Sequence, residues 1–234
     1  MPKVNQKYVA EKEKSIVDAA IRVCRSKPAY AVTLRDVVKE SGISQGGLYH
    51  YFKDIDEIFA EIFNRHFGEN TVDDSEYKIF EGDKPLHEVI TASFAVLGRL
   101  MDDMISRYGS LMYELNSIYM NEPERGKKIA DRVQNHSAAK MLFEKIFHLI
   151  ETRTASGEYE LTVPKKHLMF LVEATMLGIQ QIATFSQKFP GIGDEHGFNN
   201  ACVTAKDMMA ILAQSINGLL RKNTNNMYEV DKDE

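Results

Sequence analysis

Within the stretch SQGGLYHYFK, Ser44 to Lys53, the chain gathers an amide, a phenol, an imidazole and an ammonium group on Gln45, Tyr49, His50 and Lys53. Each is a hydrogen-bond or charge partner that a nucleic acid can use. A glutamine can bond bidentately to adenine, and lysine and tyrosine reach phosphate oxygens. At helical spacing Leu48 and Phe52, four residues apart, share one buried face, and Tyr49, His50 and Lys53 then point outward. Gly46 and Gly47 remove side chains at the amino end of this segment, where free N–H groups favour a phosphate, so they expose backbone to close approach. Tyr51 is divided between packing on the first helix and reaching phosphate. Thr33, upstream, is expected to add a phosphate contact to a capping role. Lys3 and Lys7 form a basic arm suited to a minor groove.

These side chains need a scaffold, and the flanking sequence describes one. A helix is expected from about Val9 to Ser26, stopped by Pro28. In TLRDVVKESG, Thr33 is placed to cap a second helix with Asp36 in the capping-box position, and Gly42 is placed to end it. Ser44 caps the short segment above, and Asp54 caps a fourth helix running toward Asn70. Three short helices with a glycine-containing turn between the second and third describe a helix-turn-helix. Its second helix enters the major groove of DNA while the first braces on the backbone.

The run TLRDVVKESGISQGGLYHYFKDIDEIF resembles the TetR family of bacterial transcriptional regulators. The resemblance rests on Thr33, Val37, Val38, Gly42, Ile43, Ser44, Gly46, Leu48, Tyr49, Tyr51, Phe52, Lys53, Glu57 and Phe59 in register and covers about the first 65 residues. It implies a homodimer on a palindromic double-stranded DNA operator. It also implies a C-terminal helical domain that binds a small-molecule effector and thereby releases the DNA. Two positions depart from the family pattern: Ile55 stands where lysine is frequent, and Gly47 where threonine or another small side chain is frequent. Direct readout should therefore lean on Gln45, Tyr49 and His50.

The rest of the 234 residues read as helices, so an all-α fold is expected. A linker is expected around residues 71–85, then helices from Leu86 to Arg107, Gly109 to Asn121, Pro123 to Glu151, Lys165 to Lys188 and Asn199 to Arg221. TASGEYELTVP and GIGDEHGF are expected to be loops. The corresponding division is a DNA-binding domain at 1–53, a connecting helix at 54–70, a ligand-binding and dimerisation domain at 71–222 and a polar acidic tail at 223–234. Residues 1–53 hold ten Lys and Arg against five Asp and Glu, so this stretch is +5 within a chain of net charge −5. A basic amino-terminal unit on an acidic body suits local contact with a polyanion.

The helix at 165–188 is apolar on more than one side, as helices buried against two neighbours are. In the family the last two helices form a four-helix dimer bundle. Candidate interface residues are Leu168, Val172, Thr175, Gly178, Ile179 and Ile182, with Ala205, Met208, Leu212 and Leu219 on the last helix. Flexible methionines and polar-tipped aromatics in the middle helices suit a cavity for an apolar ligand, with Met104, Tyr108, Met112, Tyr119, Phe143, Phe147 and Met169 as its candidate lining. The ligand is expected to be hydrophobic or aromatic; a cation is an alternative, held by Glu114 or Glu173 if either is buried.

Other chemistries lack their residues. No Glu-x-x-His occurs, His87-Glu88 has no second histidine at Thr91, and GIGDEHG with Asp194, Glu195 and His196 has no preceding strand. No catalytic, metal or cofactor site is assigned. Cys24 and Cys202 sit in unrelated apolar segments, so no disulfide framework is expected. With no signal-peptide pattern and no run of about 18 apolar residues, no membrane partner and a cytoplasmic location are expected. The competing readings are a helical protein-binding scaffold, which has no reason for a basic amino terminus, and a helical enzyme, which lacks a reactive constellation.

Overall fold

The computed structural model describes residues 6–134, 136–188 and 204–223. The features expected at Lys3, the GIGDEHG segment, Cys202, the start of the last helix and the tail beyond Asn223 lie outside the described residues. The fold is all-α. Contacts divide it into two compact units, the described parts of Met1–Asn70 with Met104–His136, and of Thr71–Asp103 with Ser137–Glu234. One division between the units falls after Asn70, and residues 104–136 return to the unit of the amino-terminal helices.

The first unit holds α1 (Gln6–Ser26), α2 (Leu34–Ser41), α3 (Gln45–Tyr51), α4 (Ile55–Glu69), α7 (Leu111–Asn121) and α8 (Pro123–Ala130). Each short helix starts at the cap its sequence offered. Thr33 Oγ1 accepts from the Asp36 N–H at 3.3 Å, and Asp36 Oδ2 accepts from the Thr33 N–H at 2.8 Å. Lys27 Nζ reaches the same oxygen at 2.7 Å. These bonds, led by the one from Lys27, hold the Asp36 carboxyl down at about 2. Gly42 ends α2 at φ 69°, a left-handed conformation that glycine adopts freely. Ile16, Ala20, Leu48, Phe59, Ile62 and Leu115 form the centre of the core. Cys24 is buried there, and burial first, then the charge of Glu114, pushes its thiol up to about 12, so it is an inert apolar group.

The second unit holds α5 (Asp74–Tyr77), most of α6 (Leu86–Tyr108), α9 (Ala138–Ala155), α10 (Lys165–Lys188) and α11 (Ala205–Gly218). α11 docks on α6 without a side chain between them. A Cβ on Gly98 would stand 2.5 Å from the Lys206 Cα. Beside it, the Asp102 carboxylate accepts from the Ala205 and Lys206 N–H groups at 2.8 and 3.1 Å, which satisfies two unpaired donors of the helix start.

Three expectations need correction. The single helix from Pro123 to Glu151 is two, α8 and α9. Between them Asn64 takes over the free backbone, donating to Arg132 O at 3.3 Å and accepting from the Gln134 N–H at 2.7 Å. Ser137 then caps α9. The loop at TASGEYELTVP contains strand β1 (Tyr159–Leu161), paired antiparallel with β2 (Leu220–Lys222); three residues are too few for a visible alternation. Finally, Lys165–Ser186 is long and apolar enough by composition to cross a membrane, with mean hydropathy 1.4. One such helix is weak evidence for a span, and this one packs Leu168, Val172 and Ile179 into the core of its own unit.

His66 on α4 is buried, edge-on to the Tyr108 ring at 5.4 Å. Burial, then the nearby Arg107, lowers its pKa to about 4, against a smaller opposing effect of Glu69. The folded state therefore refuses a proton that the unfolded chain accepts below about pH 6.5. Stability should fall as pH drops from about 6.5 to about 4, by on the order of 1–2 kcal/mol at pH 5. Urea denaturation at pH 7.5 and 5 measures this loss, and a His66→Phe variant should lack it.

Candidate nucleic-acid interface

Leu48 is wholly buried and Phe52 nearly so, so α3 lies with one face fixed in the core and the other in solvent. Its outward residues are Gln45, Gly46, Tyr49 and His50, with Lys53 just beyond the helix. Ser44 Oγ accepts from the Gly47 N–H at 3.2 Å and starts the helix. A shallow concavity of about 480 Å³ runs along this face, and Thr33, Arg35, Gln45, Tyr49, Lys53 and Ile55 are among its lining. It brings together Thr33, Gln45, Tyr49 and Lys53, as expected from sequence. Arg35 joins them; its signal was a cation one residue into α2 on the exposed side of the Thr33 cap. Tyr51 is half-buried against the core, edge-on to the His50 ring at 5.3 Å.

The two glycines have different reasons. A Cβ on Gly46 would meet nothing within 4 Å, whereas one on Gly47 would stand 3.0 Å from Ile43 Cγ2 and 3.1 Å from Ser44 Oγ. Gly46 leaves the outer face open. Gly47, only half-exposed, leaves room for the cap of its own helix, which sequence reasoning did not foresee.

The start of α4 is acidic, and it adjoins the outward face of α3. Three cations of α8 and the turn after it answer it. Lys128 pairs with Asp54 at 2.6 Å, Arg125 with Asp56 at 2.7 Å and Arg132 with Glu57 at 2.6 Å. Burial alone would raise the Asp54 carboxyl, but Lys128 and the Glu57 N–H outweigh it and hold it low. The other Glu57 oxygen accepts from the Lys53 N–H at 2.6 Å, which fixes the backbone of the outward lysine. On the opposite side Glu114 of α7 accepts from the Ala29 N–H at 2.7 Å and from Ser110 Oγ at 2.8 Å. It thereby anchors the turn Ala29–Ala31 that leads into Thr33.

Residues 16–62, which contain this face, match the family of bacterial regulatory proteins named for TetR. The amino-terminal domain of the chain is thus of the TetR type. It is also similar to the uncharacterized HTH-type transcriptional regulator YfiR of Bacillus subtilis, 39% identical over 61 residues. That match covers 26% of this chain and 30% of YfiR, so the chain spans under a third of the relative. Solved structures share the fold across most of the chain. The fatty acid degradation regulator FadR from Bacillus halodurans has a TM-score of 0.56 at 14% identity, covering 94% of this chain and 100% of that one. A TetR-family protein from Rhodococcus sp. has a TM-score of 0.52 at 15% identity, covering 89% and 98%.

The TetR-like body distributes the other expected residues differently from the sequence reading. Tyr108 and Met112 are buried in the core of the first unit, Met104 packs against that core, and Tyr119 is exposed. Phe143, Phe147 and Met169 belong to the second unit. There a cavity of about 360 Å³ is lined by Phe143 and Met169 together with Met101, Met176, Leu177 and Gln180. Phe147 is buried behind Phe143, their rings 4.5 Å apart. Neither carboxylate offered for a cation is suited to one, since Glu114 is engaged as above and Glu173 is exposed at the cavity's edge.

Of the expected dimer residues, Leu168, Val172, Ile179, Ala205 and Leu212 are buried within their own unit. Met208 and Leu219 are half-buried, as are Thr175 and Gly178, and Ile182 is exposed. The apolar side chains that α10 leaves in solvent are Met169, Phe170 (73% exposed), Leu171, Leu177, Ile182 and Phe185, joined by Ile211 of α11. The apolar residues encircle α10, so periodicity did not determine which side faces inward.

The two glycines give a paired test. Gly46→Ala should stabilise the free protein by up to about 1 kcal/mol, through helix propensity, and weaken binding to duplex DNA. Gly47→Ala should forfeit that gain by crowding the Ser44 cap. Urea denaturation and fluorescence anisotropy on both variants measure the two effects; equal stability changes would contradict the assignment.

Proposed function

We propose that the protein is a ligand-responsive transcriptional repressor that binds a palindromic operator as a homodimer and lets go when a small hydrophobic or aromatic molecule binds its second unit. The observation that carries the DNA reading is the exposed face shared by Thr33, Arg35, Gln45, Tyr49 and Lys53 over a core-anchored α3. The TetR-type amino-terminal domain and its basic charge support it. On this reading the chain is a cytoplasmic regulator rather than an enzyme, with the body of residues 71–222 serving effector binding and assembly.

The homodimer reading is supported by the exposed apolar residues of α10, which a second copy would cover. The effector reading is supported by the cavity of the second unit. Release on this reading requires that the bound ligand change the spacing of the two reading heads. The ligand can do so only by its differential affinity for the two states.

Two experiments test this reading. In anisotropy titrations with the DNA flanking its own gene, affinity should fall steeply with salt. Lys53→Ala should flatten that slope by about one unit on every sequence, while Gln45→Ala should cost roughly 1–3 kcal/mol on the best site and relax its sequence preference. A Lys53 variant that kept the slope and lost preference at one base pair would reverse these roles. In sedimentation, the double change Phe170→Glu and Leu177→Glu should convert a dimer to a folded monomer that binds the operator weakly; an unchanged dimer would move the interface elsewhere.

A further inference from the structure

We infer that the cavity of the second unit takes an uncharged, mostly apolar molecule bearing a hydrogen-bonding group such as an amide, and that Gln180 reads this group. The inference rests on the reading above that the second unit holds the effector.

Gln180 is only 8% exposed and lines the cavity. Among the described residues no hydrogen bond holds its side-chain amide, which is not wholly enclosed and borders the cavity. A buried amide carries two donors and an acceptor with two lone pairs, and leaving such groups unpaired is costly. One turn further along α10, the buried Thr184 hydroxyl is likewise without a partner among the described residues. The remaining lining is half-buried Met101, Phe143 and Met176, with Met169 and Leu177 at the exposed rim, and it offers contact area and no charge. A volume of about 360 Å³ falls in the ordinary range of small-molecule sites.

The charges nearby do not select an ion. Lys140 and Glu173 also border the cavity, but both are exposed and opposite in sign, and Lys140 lies 3.9 Å from Glu144. A charged head pushed in to Gln180 would lose its hydration and gain no counter-ion there. A neutral amide, carbonyl or hydroxyl can exchange its water for the Gln180 amide, which both donates and accepts.

The test uses four probes with one phenylalkyl body: 4-phenylbutanamide, butylbenzene, 4-phenylbutanoate and 4-phenylbutylammonium. Calorimetry on the full chain without DNA should find the amide bound at least about tenfold more tightly than either ion. Gln180→Met, similar in length but unable to pair, should weaken the amide about tenfold and leave butylbenzene within about twofold. Gln180→Leu serves if the methionine variant does not fold, with the same expectation. Phe143→Ala should weaken all four probes alike, placing them in this cavity. An unchanged amide-to-butylbenzene ratio in the Gln180 variants, tighter binding of an ion, or no binding of any probe would overturn the assignment. Amide preference with operator affinity unmoved at saturation would uphold this assignment and defeat the release reading instead.

Discussion

The burial of Leu48 is the constraint on which the DNA-facing surface depends. α3 is seven residues long, too short to be stable as an isolated helix. It exists because Leu48 and Phe52 are held in the core that α1, α4 and α7 build, with Ser44 and Gly42 fixing where the chain enters. Once that side is inward, helical geometry sends Gln45, Tyr49 and His50 outward, and no further interaction is needed to aim them. Polar substitution at Leu48 would therefore remove the reading face and not merely weaken it.

A second constraint is electrostatic. A helix that begins DIDE beside the proposed DNA-binding face would repel the phosphates which that face is proposed to attract. Arg125, Lys128 and Arg132 answer those carboxylates one for one, and two of the three carboxylates are also backbone acceptors, Asp54 for its own helix and Glu57 for Lys53. The pairs are partly exposed, so each contributes modestly to stability. Their larger effect is positional: α8 sets the direction in which the first turn of α4, and with it Lys53, leaves the core. Glu114 performs the same task for the turn before Thr33. Residues 104–136, remote in sequence from the helix-turn-helix, thus belong to its support.

The second unit obeys a different rule. Its helices approach closely where side chains are absent, as at Gly98 under Lys206, and its buried polar groups are few enough that each is conspicuous. Half-buried Asp102 is satisfied by the start of α11. The Ser93 and Thr184 hydroxyls are buried without a partner among the described residues, Gln180 borders the cavity, and α10 keeps bulky apolar residues in water. Such a helix is built to meet more than its own core, which is why a buried amide facing a cavity and an uncovered apolar side occur on the same element.

Capping chemistry made the reading head legible without a structure. Thr33 with Asp36, Gly42, Ser44 and Asp54 each act over three or four residues, so the bounds of α2, α3 and α4 and the inward faces of Leu48 and Phe52 could be read directly, along with the family they resemble. Longer-range facts were not legible. The break between α8 and α9 depends on Asn64, some seventy residues away. The allegiance of Met104, Tyr108 and Met112 to the first unit, and the room around Gly47, likewise depend on partners elsewhere in the chain. On α10 the sequence determined an apolar helix but not its inward side, because a residue pattern apolar all round has no preferred face until neighbouring helices select one. Tertiary packing selected Leu168, Val172 and Ile179 for the core and left Phe170, Leu177 and Ile182 outside, since only a partner of fixed position can distinguish one apolar side of a helix from another.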